Sequence, residues 1–312
     1  MGIFQKPELL LKNSDLDKEK WLEMRLSHIN STEAATLFDL NKYQSYFEMW
    51  HEKRRREIVN FGDNDRMKAG RFLEPSIAKL ALDEIECNGS PFKQYLAQKE
   101  FRLASSFDWK ITSGKFNKWL MEVKNVDKWI YQKEWQDDIP PDHIEMQVQH
   151  QLAVSQRPGT ILAVLVGGND LKLIPREYDE KIAESIAQES MHFWQTLEEG
   201  KEPEPDFSRD SKYIIKMLDK DGGEPYECHK NGELWRLLEK DNEFAEQEKF
   251  AKEQREHIKA AAFMIVGDAC RIMCEGKKLK QLTRTKDTAG TLVTEEMVGQ
   301  IIGGRKGYRQ FR

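Results

Sequence analysis

Apolar residues recur at helical spacing through much of the chain, and short continuous apolar runs separate these stretches. The spacing predicts helices over residues 15–26, 43–58, 67–82, 142–156 and 179–197, and another that opens at Ser31-Thr32-Glu33. Strand patterns cover residues 119–123, 160–166 and 171–174, and a further strand leads into residue 103. Helices that alternate with short apolar strands predict an α/β core around a small sheet.

A polar segment divides the chain in two. Residues 201–206, Lys-Glu-Pro-Glu-Pro-Asp, contain prolines and charges but no apolar residue, which favours a linker. We expect a core over residues 1–205 and a mostly helical extension over residues 206–312. In the extension, a charged helix is predicted from about residue 231 to 275, and its drifting apolar seam favours a pair of packed helices. The basic tail 303–312 either binds phosphate or only increases solubility.

Composition narrows the function classes. The chain has 312 residues, 39% of them apolar and 33% charged, and a formal net charge of -5. This charge argues against a general basic coat, so a DNA-handling protein would need its lysines and arginines gathered along a channel. The four cysteines are irregularly spaced and are interpreted as ordinary thiols. No run reaches the roughly 18 apolar residues of a membrane span, and we expect a cytoplasmic protein.

Candidate chemistry is concentrated in a predicted hairpin that turns at Ser113-Gly114. Because a strand alternates faces, Glu122 and Lys124 point the same way and Val123 points to the other side. Asp108 lies across the turn, where its carboxylate could meet that of Glu122. Two carboxylates brought together repel each other, and a bound divalent cation usually offsets this repulsion. The alternative is that Glu-x-Lys marks the solvated face of an edge strand.

Further sequence pieces stand in a fixed order around this hairpin. They are Trp21-x3-Arg25, Ser31-Thr32-Glu33-Ala34, Gly70-x3-Glu74, Ala104-x-Ser106-x-Asp108, Glu122-Val123-Lys124 and Gln147-x-Gln149. As a set they resemble the lambda-exonuclease or YqaJ-type viral recombinase family of the PD-(D/E)xK nuclease superfamily. The resemblance implies a restriction-endonuclease-like core, with a small central mixed sheet flanked by helices. The chain departs from the family at Ser106-Phe107-Asp108-Trp109, where Ser-Pro-Asp-Gly is usual, which leaves the turn geometry around Asp108 open.

The resemblance also implies roles for individual residues. One or two Mg²⁺ ions, for which Mn²⁺ could substitute, would be held by Glu74, Asp108, Glu122 and the Val123 backbone carbonyl. Lys124 would orient or deprotonate the attacking water. Gln149 would hold Lys124 in place, although a surface glutamine is the alternative.

A terminal phosphate would be bound near the start of the chain. The residues implied in binding DNA and its 5′ phosphate are Trp21, Arg25, Thr32 and Ser106. Arg25 would supply a guanidinium, and the helix start at Thr32 would supply a hydroxyl and backbone donors. The alternative is that Ser31 or Thr32 is simply a helix cap. The basic run 53–56 is either a solvated face or a contact to the DNA backbone.

The implied activity is Mg²⁺-dependent digestion of one strand of duplex DNA from its 5′ end. It would leave a 3′ single strand for a strand-annealing partner in phage-type recombination, in a bacterial or phage-infected cytoplasm. The family implies a ring of three subunits around DNA. Two rivals remain: a nicking or structure-specific endonuclease with the same core, and a DNA-end binding protein whose nuclease site has decayed.

Overall fold

A computed structural model describes residues 2–12, 18–57, 65–219 and 223–282. The chain divides into two compact units, Met1–Leu218 and Asp219–Arg312. The basic tail 303–312 lies outside the described residues.

The helices and strands follow one another closely in the first unit. Its α-helices are α1 (Lys18–Leu26), α2 (Tyr46–Arg55), α3 (Asp65–Glu84), α4 (Lys128–Glu134), α5 (Asp142–Ser155), α6 (Glu180–Glu198) and α7 (Phe207–Met217). Its strands are β1 (Glu8–Leu11), β2 (Ile29–Asn30), β3 (Gly89–Pro91), β4 (Tyr95–Gln98), β5 (Leu103–Ser105), β6 (Trp109–Ile111), β7 (Leu120–Val126), β8 (Gly159–Val166) and β9 (Asp170–Glu177). Short 3₁₀ helices cover Ser31–Phe38, Lys99–Phe101 and Gln136–Asp138.

A five-stranded mixed sheet lies at the centre of this unit, in the order β3-β6-β7-β8-β9. Strands β7 and β8 are parallel, whereas the other neighbours are antiparallel. A second sheet has the order β1-β4-β5-β2. The α/β core with a small mixed sheet flanked by helices, predicted from the sequence, is confirmed.

The apolar run of β8 explains its central position. Ile161 and Ala163 pack with the apolar residues of α3 on one face of the sheet. Leu162 and Val164 alternate with them and pack with the apolar residues of α5 on the other face. A strand covered on both faces reads as a continuous apolar run, and its neighbour β7 is thereby held between two helical layers.

The second unit contains α8 (Glu233–Val266) and a hairpin of β10 (Arg271–Cys274) and β11 (Lys277–Gln281). The predicted helix to residue 275 is wrong at its end, because the chain leaves the helix at Gly267, whose φ is 54°. The predicted pair of packed helices is also wrong for the described residues, since α8 is one continuous helix without a buried side chain. Within the described parts of the chain, no helix is long and apolar enough to cross a membrane.

Candidate active site

The predicted hairpin is present, and it places Asp108 directly before β6. The backbone N–H of Val123 donates a hydrogen bond to Asp108 Oδ2 at 2.8 Å. The N–H and C=O of one strand residue leave the strand on the same side, so the Val123 carbonyl faces the side on which Asp108 lies. Asp108 is thus fixed against the middle of β7.

The departure from the family around Asp108 is accommodated by burial. Phe107 stacks on Phe92 with ring centroids 5.0 Å apart, and Trp109 is buried in the apolar cluster under α3. The Asp108 carbonyl accepts a hydrogen bond from Phe92 N at 2.9 Å. Two buried aromatic rings and this hydrogen bond therefore hold the backbone on both sides of the acid.

Glu122 and Lys124 share one face of β7, as strand alternation predicts. Lys124 Nζ lies 2.7 Å from Glu122 Oε1, and Glu122 is only 4% exposed. The other Glu122 oxygen accepts from Gln151 Nε2 at 2.8 Å. A buried carboxylate needs such donors, because an uncompensated buried charge is costly.

Gln147, rather than Gln149, holds the lysine. The Gln147 side chain accepts from Lys124 Nζ at 3.1 Å and donates to Glu122 Oε1 at 2.6 Å. The predicted contact of Gln149 with Lys124 is wrong, because Gln149 donates to the Glu177 carbonyl and accepts from Asp179 N. Gln147 and Gln151 stand four residues apart on α5 and face β7 together. That spacing is visible in the sequence, but the sequence does not show that this face of α5 meets β7.

The charges of the three predicted acids act on one another. Burial raises the pKa of Asp108 well above its usual range, and the charges of Glu122 and Glu74 raise it further, against Lys124 and the Val123 N–H. Burial lowers the pKa of Lys124, but Glu122 and Asp108 outweigh it, so the net pKa shift is upward. Glu74 lies half-buried on α3 and contributes to both shifts. The three acids and the lysine therefore form one electrostatic group.

The donor set suits a hard divalent cation in its chemistry. The candidate ligands are carboxylate and carbonyl oxygens, which Mg²⁺ prefers. Burial is the main cause of the raised pKa of Asp108, and the charges of Glu122 and Glu74 add a repulsion that a cation would relieve. In the described part of the chain, no three His, Cys, Asp or Glu side chains are grouped closely enough to hold a metal ion. The site is thus acidic, but in this structure its carboxylates do not surround a common metal position.

Trp21, Arg25 and Ser106 lie together beside this hairpin. Trp21 Nε1 donates to Ser106 Oγ at 3.1 Å, and the Arg25 guanidinium lies over the Trp21 ring, 4.8 Å from its centroid. Ser106 is two residues from Asp108, so the cluster adjoins the acidic group. Arg25 Nε has no hydrogen-bond partner among the described residues.

A buried ion pair that the sequence did not reveal supports Arg25. Lys53 Nζ lies 2.7 Å from Glu33 Oε2 and also donates to the carbonyls of Arg25 and His28. Arg25 is more loosely placed, 3.8 Å from the other Glu33 oxygen. Lys53 is only 4% exposed, so the first residue of the basic run 53–56 is structural. Lys53 is therefore the close partner of Glu33, and the Arg25 guanidinium is the cation that Glu33 holds less tightly.

Thr32 lies on the wall of a cleft, separate from the Glu33 ion pair. The element that opens at Ser31 is a 3₁₀ helix capped by Asn30, so the alternative of Ser31 or Thr32 as the cap is wrong. Asn30 N donates to Glu33 Oε2 at 2.8 Å. The Thr32 side chain is exposed. The cleft has a volume of about 430 Å³, and Lys124 and Gln147 also line it.

The chain is similar to known proteins in sequence and in structure. Residues 20–158 match the YqaJ-like viral recombinase domain family. The uncharacterized protein YqaJ of Bacillus subtilis (strain 168) is 28% identical over 197 residues, which are 61% of this chain. The match spans 59% of that curated relative's length.

Two solved structures are similar to parts of the chain. The alkaline exonuclease of Laribacter hongkongensis matches with a TM-score of 0.49 and 17% identity, over 64% of this chain and 100% of that one. A phage related exonuclease from Haemophilus somnus 129PT matches with a TM-score of 0.40 and 10% identity, over 55% of this chain and 96% of that one. The match to the YqaJ-like viral recombinase domain family covers Trp21, Arg25, Asp108, Glu122 and Lys124.

Proposed function

We propose that this protein is a metal-dependent exonuclease that digests one strand of duplex DNA from its 5′ end. The product would be a 3′ single-stranded overhang for phage-type recombination by single-strand annealing. The observation that carries the proposal is the placement of Asp108 on the Val123 N–H beside the buried Glu122–Lys124 pair. The match of residues 20–158 to a viral recombinase domain supports the recombination role.

One or two Mg²⁺ ions, with Mn²⁺ as a substitute, would be held by Glu74, Asp108, Glu122 and the Val123 carbonyl once the three carboxylates move closer together than they stand in this structure. When bound, the metal would lower the pKa of a water and neutralise charge on the phosphate and on the leaving 3′ oxygen. Lys124 is fixed by Glu122 and Gln147, and from there its ammonium group can hold a water or a phosphate oxygen by a hydrogen bond. Gln151 holds the second Glu122 oxygen and so fixes the carboxylate's orientation.

Recognition of the 5′ end would fall to Arg25, with Trp21, Ser106 and Thr32. Arg25 keeps a donor without a partner among the described residues, and a guanidinium binds a phosphate through two parallel hydrogen bonds. A terminal phosphate carries a charge of about -2 near neutral pH and so exceeds an internal diester in charge. Because Lys53 is the close partner of Glu33, the more loosely placed Arg25 guanidinium is the cation that would favour this more highly charged group.

The enzyme would act on DNA ends in a bacterial or phage-infected cytoplasm, with a single-strand-annealing protein as its partner. A ring of three subunits around DNA would make digestion processive.

A linear duplex with an internal label tests the proposal against its two rivals. We expect Mg²⁺-dependent release of label that proceeds from the 5′ end and is faster with a 5′ phosphate than with a 5′ hydroxyl. Cleavage of circular or end-blocked duplex at the same rate would favour the endonuclease. End binding without any cleavage, with Mg²⁺ or Mn²⁺, would favour the decayed site.

Arg25→Ala tests the 5′-phosphate pocket separately. Charge-assisted hydrogen bonds are each worth roughly 1.5 to 3 kcal/mol, so the preference for the phosphorylated end should fall by about ten- to a hundredfold. The fold should survive, because Lys53 still neutralises Glu33. Kinetics on both substrates measure this, and a variant with the full wild-type preference would remove Arg25 from the pocket.

A further inference from the structure

An exposed aromatic side chain stands on the wall of the same cleft. Tyr43 is 79% exposed, and it lines the cleft together with Thr32, Lys124 and Gln147. Burying an aromatic ring is strongly favourable, and an exposed one on a cleft wall is a ready contact for a flat ligand.

The backbone that carries Tyr43 is held in place. Tyr43 N donates to Asn41 Oδ1 at 2.9 Å, and Asn41 is only 7% exposed. The Asn41 amide in turn donates to the Thr32 carbonyl at 3.2 Å and to Thr36 Oγ1 at 2.9 Å. One buried asparagine thus links the position of Tyr43 to that of Thr32, at opposite ends of a short segment.

His143 packs against the Tyr43 ring. The two ring centroids are 6.0 Å apart, in an edge-to-face arrangement with an interplanar angle of 77°. Burial and the charge of Lys42 lower the pKa of His143, so the imidazole is neutral near pH 7 and packs as an aromatic group. This contact restrains the Tyr43 side chain while leaving most of its surface open.

We propose that Tyr43, backed by His143, is a stacking platform for a nucleobase of the strand that enters the cleft. The inference rests on the proposed function and adds a residue that determines how the strand end is held. The asparagine link to Thr32 fixes the ring relative to the wall of the cleft that Lys124 and Gln147 also line. Every base has an aromatic face, so such a contact tolerates any sequence, as an exonuclease requires.

Binding to a 5′-phosphorylated duplex in EDTA tests the platform without cleavage. The probes are the intact duplex and three versions with an abasic site at the first, second or third nucleotide from the 5′ end. We expect the wild-type full chain to bind the intact end about five- to a hundredfold more tightly than one of the abasic ends. Tyr43→Ala should lose that difference, and Tyr43→Phe should keep it, because phenylalanine retains the ring. Tyr226→Ala is the matched control, since Tyr226 is 82% exposed in the second unit.

The binding and digestion results test the platform and the exonuclease separately. Wild-type protein that binds all four ends equally, or Tyr43→Ala protein that keeps the difference, overturns the platform. Digestion of the intact duplex with Mg²⁺ is measured in parallel and reports on the proposed function alone. Normal digestion without any base dependence therefore rejects only the platform, and base-dependent binding without digestion rejects only the exonuclease.

Discussion

Glu122 is the residue on which the polar contacts of the candidate site converge. Its two carboxylate oxygens accept hydrogen bonds from Lys124, Gln147 and Gln151. Removing one partner from such a buried group leaves an uncompensated charge or donor, which costs more than the lost contact alone. Substitutions at Glu122 would therefore mix stability with chemistry, and its neighbours are cleaner probes.

Lys124→Ala is expected to slow cleavage on the order of 10²-fold or more, because a group that positions the attacking water acts on the chemical step. Affinity for Mg²⁺ should change little, which titration calorimetry measures. Lys128→Ala is a suitable control, since Lys128 is exposed at the start of α4. A loss confined to metal binding would make Lys124 structural.

Gln147→Ala and Gln149→Ala form a matched pair on one helix. Losing Gln147 should lower the cleavage rate by about ten- to a hundredfold, as is typical for a residue that orients the groups of a metal site. Losing Gln149 should leave the rate unchanged but cost about 1 to 3 kcal/mol of stability, because this buried side chain makes two hydrogen bonds to the backbone of β9 and of the residue before α6. The reverse result would restore the assignment made from the sequence.

The wrong choice between these glutamines has a simple physical cause. An α-helix turns by about 100° per residue, so positions two apart point about 200° from each other. The sequence shows three glutamines in a row of alternate positions but does not show which face of α5 meets β7. No such choice arose in the hairpin, because strand alternation alone places Glu122 and Lys124 on one face.

At the scale of the elements, α2 and α7 pack against each other although a proline-rich segment precedes α7. The rings of Phe47 and Tyr213 contact edge to face, 6.4 Å between centroids. Arg209 also forms an ion pair with Asp39 and donates to the Asn41 carbonyl. This packing therefore supports the segment that carries Tyr43.

Glu48 of α2 makes the stability of this packing depend on pH. Burial, with a smaller contribution from the charge of Asp210 of α7, raises the pKa of Glu48 to about 7 against a hydrogen bond at Ser45 and the charge of Arg209. Since the folded pKa lies above the usual value of about 4.3, the stabilisation by Glu48 is fully present below that value and is lost as pH rises through about 7.

Glu48→Gln should accordingly stabilise the protein by roughly 1 to 2 kcal/mol near pH 8, discounted for partial exposure, and change little near pH 4. Urea unfolding at both pH values measures this. An equal effect at the two pH values would contradict the raised pKa.

The elements that the sequence predicted well are those with a strong period. The apolar run of β8 and the helical spacing of α5 and α6 lie close to their predicted bounds. The sheet β1-β4-β5-β2 was not predicted, because its strands have only two to four residues and carry too few positions for a pattern. The exposed helix α8 was misread because its apolar residues suggested a partner helix.

At the scale of the whole molecule, the division into units falls after α7. The predicted boundary after residue 205 would separate α7 from the core, whereas the structure groups it with the first unit. Tyr213 and Asp210 are only 3% and 2% exposed, which explains the grouping. We propose that the nuclease core extends to residue 218.

Truncation tests this boundary. A chain of residues 1–218 should fold with nearly the stability that the first unit has in the full chain, whereas residues 1–205 should lose roughly 2 kcal/mol or more from the uncovered surface around Phe47. Thermal unfolding of both chains measures the difference. Equal melting temperatures would place the boundary at residue 205. If the 1–218 chain also digests duplex normally, the extension serves another role, such as binding a partner.

The net charge of -5 is no obstacle to a role on DNA. Positive side chains are gathered locally, with Arg25 and the buried Lys53 on the two oxygens of Glu33 and with Lys124 in the cleft. Composition could show the total charge but not this gathering, because it depends on contacts between distant parts of the chain.

The most direct test of the nuclease site is the comparison of Asp108→Asn with wild type on a 5′-phosphorylated linear duplex in Mg²⁺. Asparagine keeps the shape of the side chain and can still accept the Val123 N–H bond, so the fold should be retained while the negative charge is lost. Asp65→Asn, an exposed position at the start of α3, is the control. We expect wild type and the control to release nucleotides from the 5′ end and Asp108→Asn to release none while still binding the duplex. Digestion by Asp108→Asn near the wild-type rate would contradict the assignment of the active site.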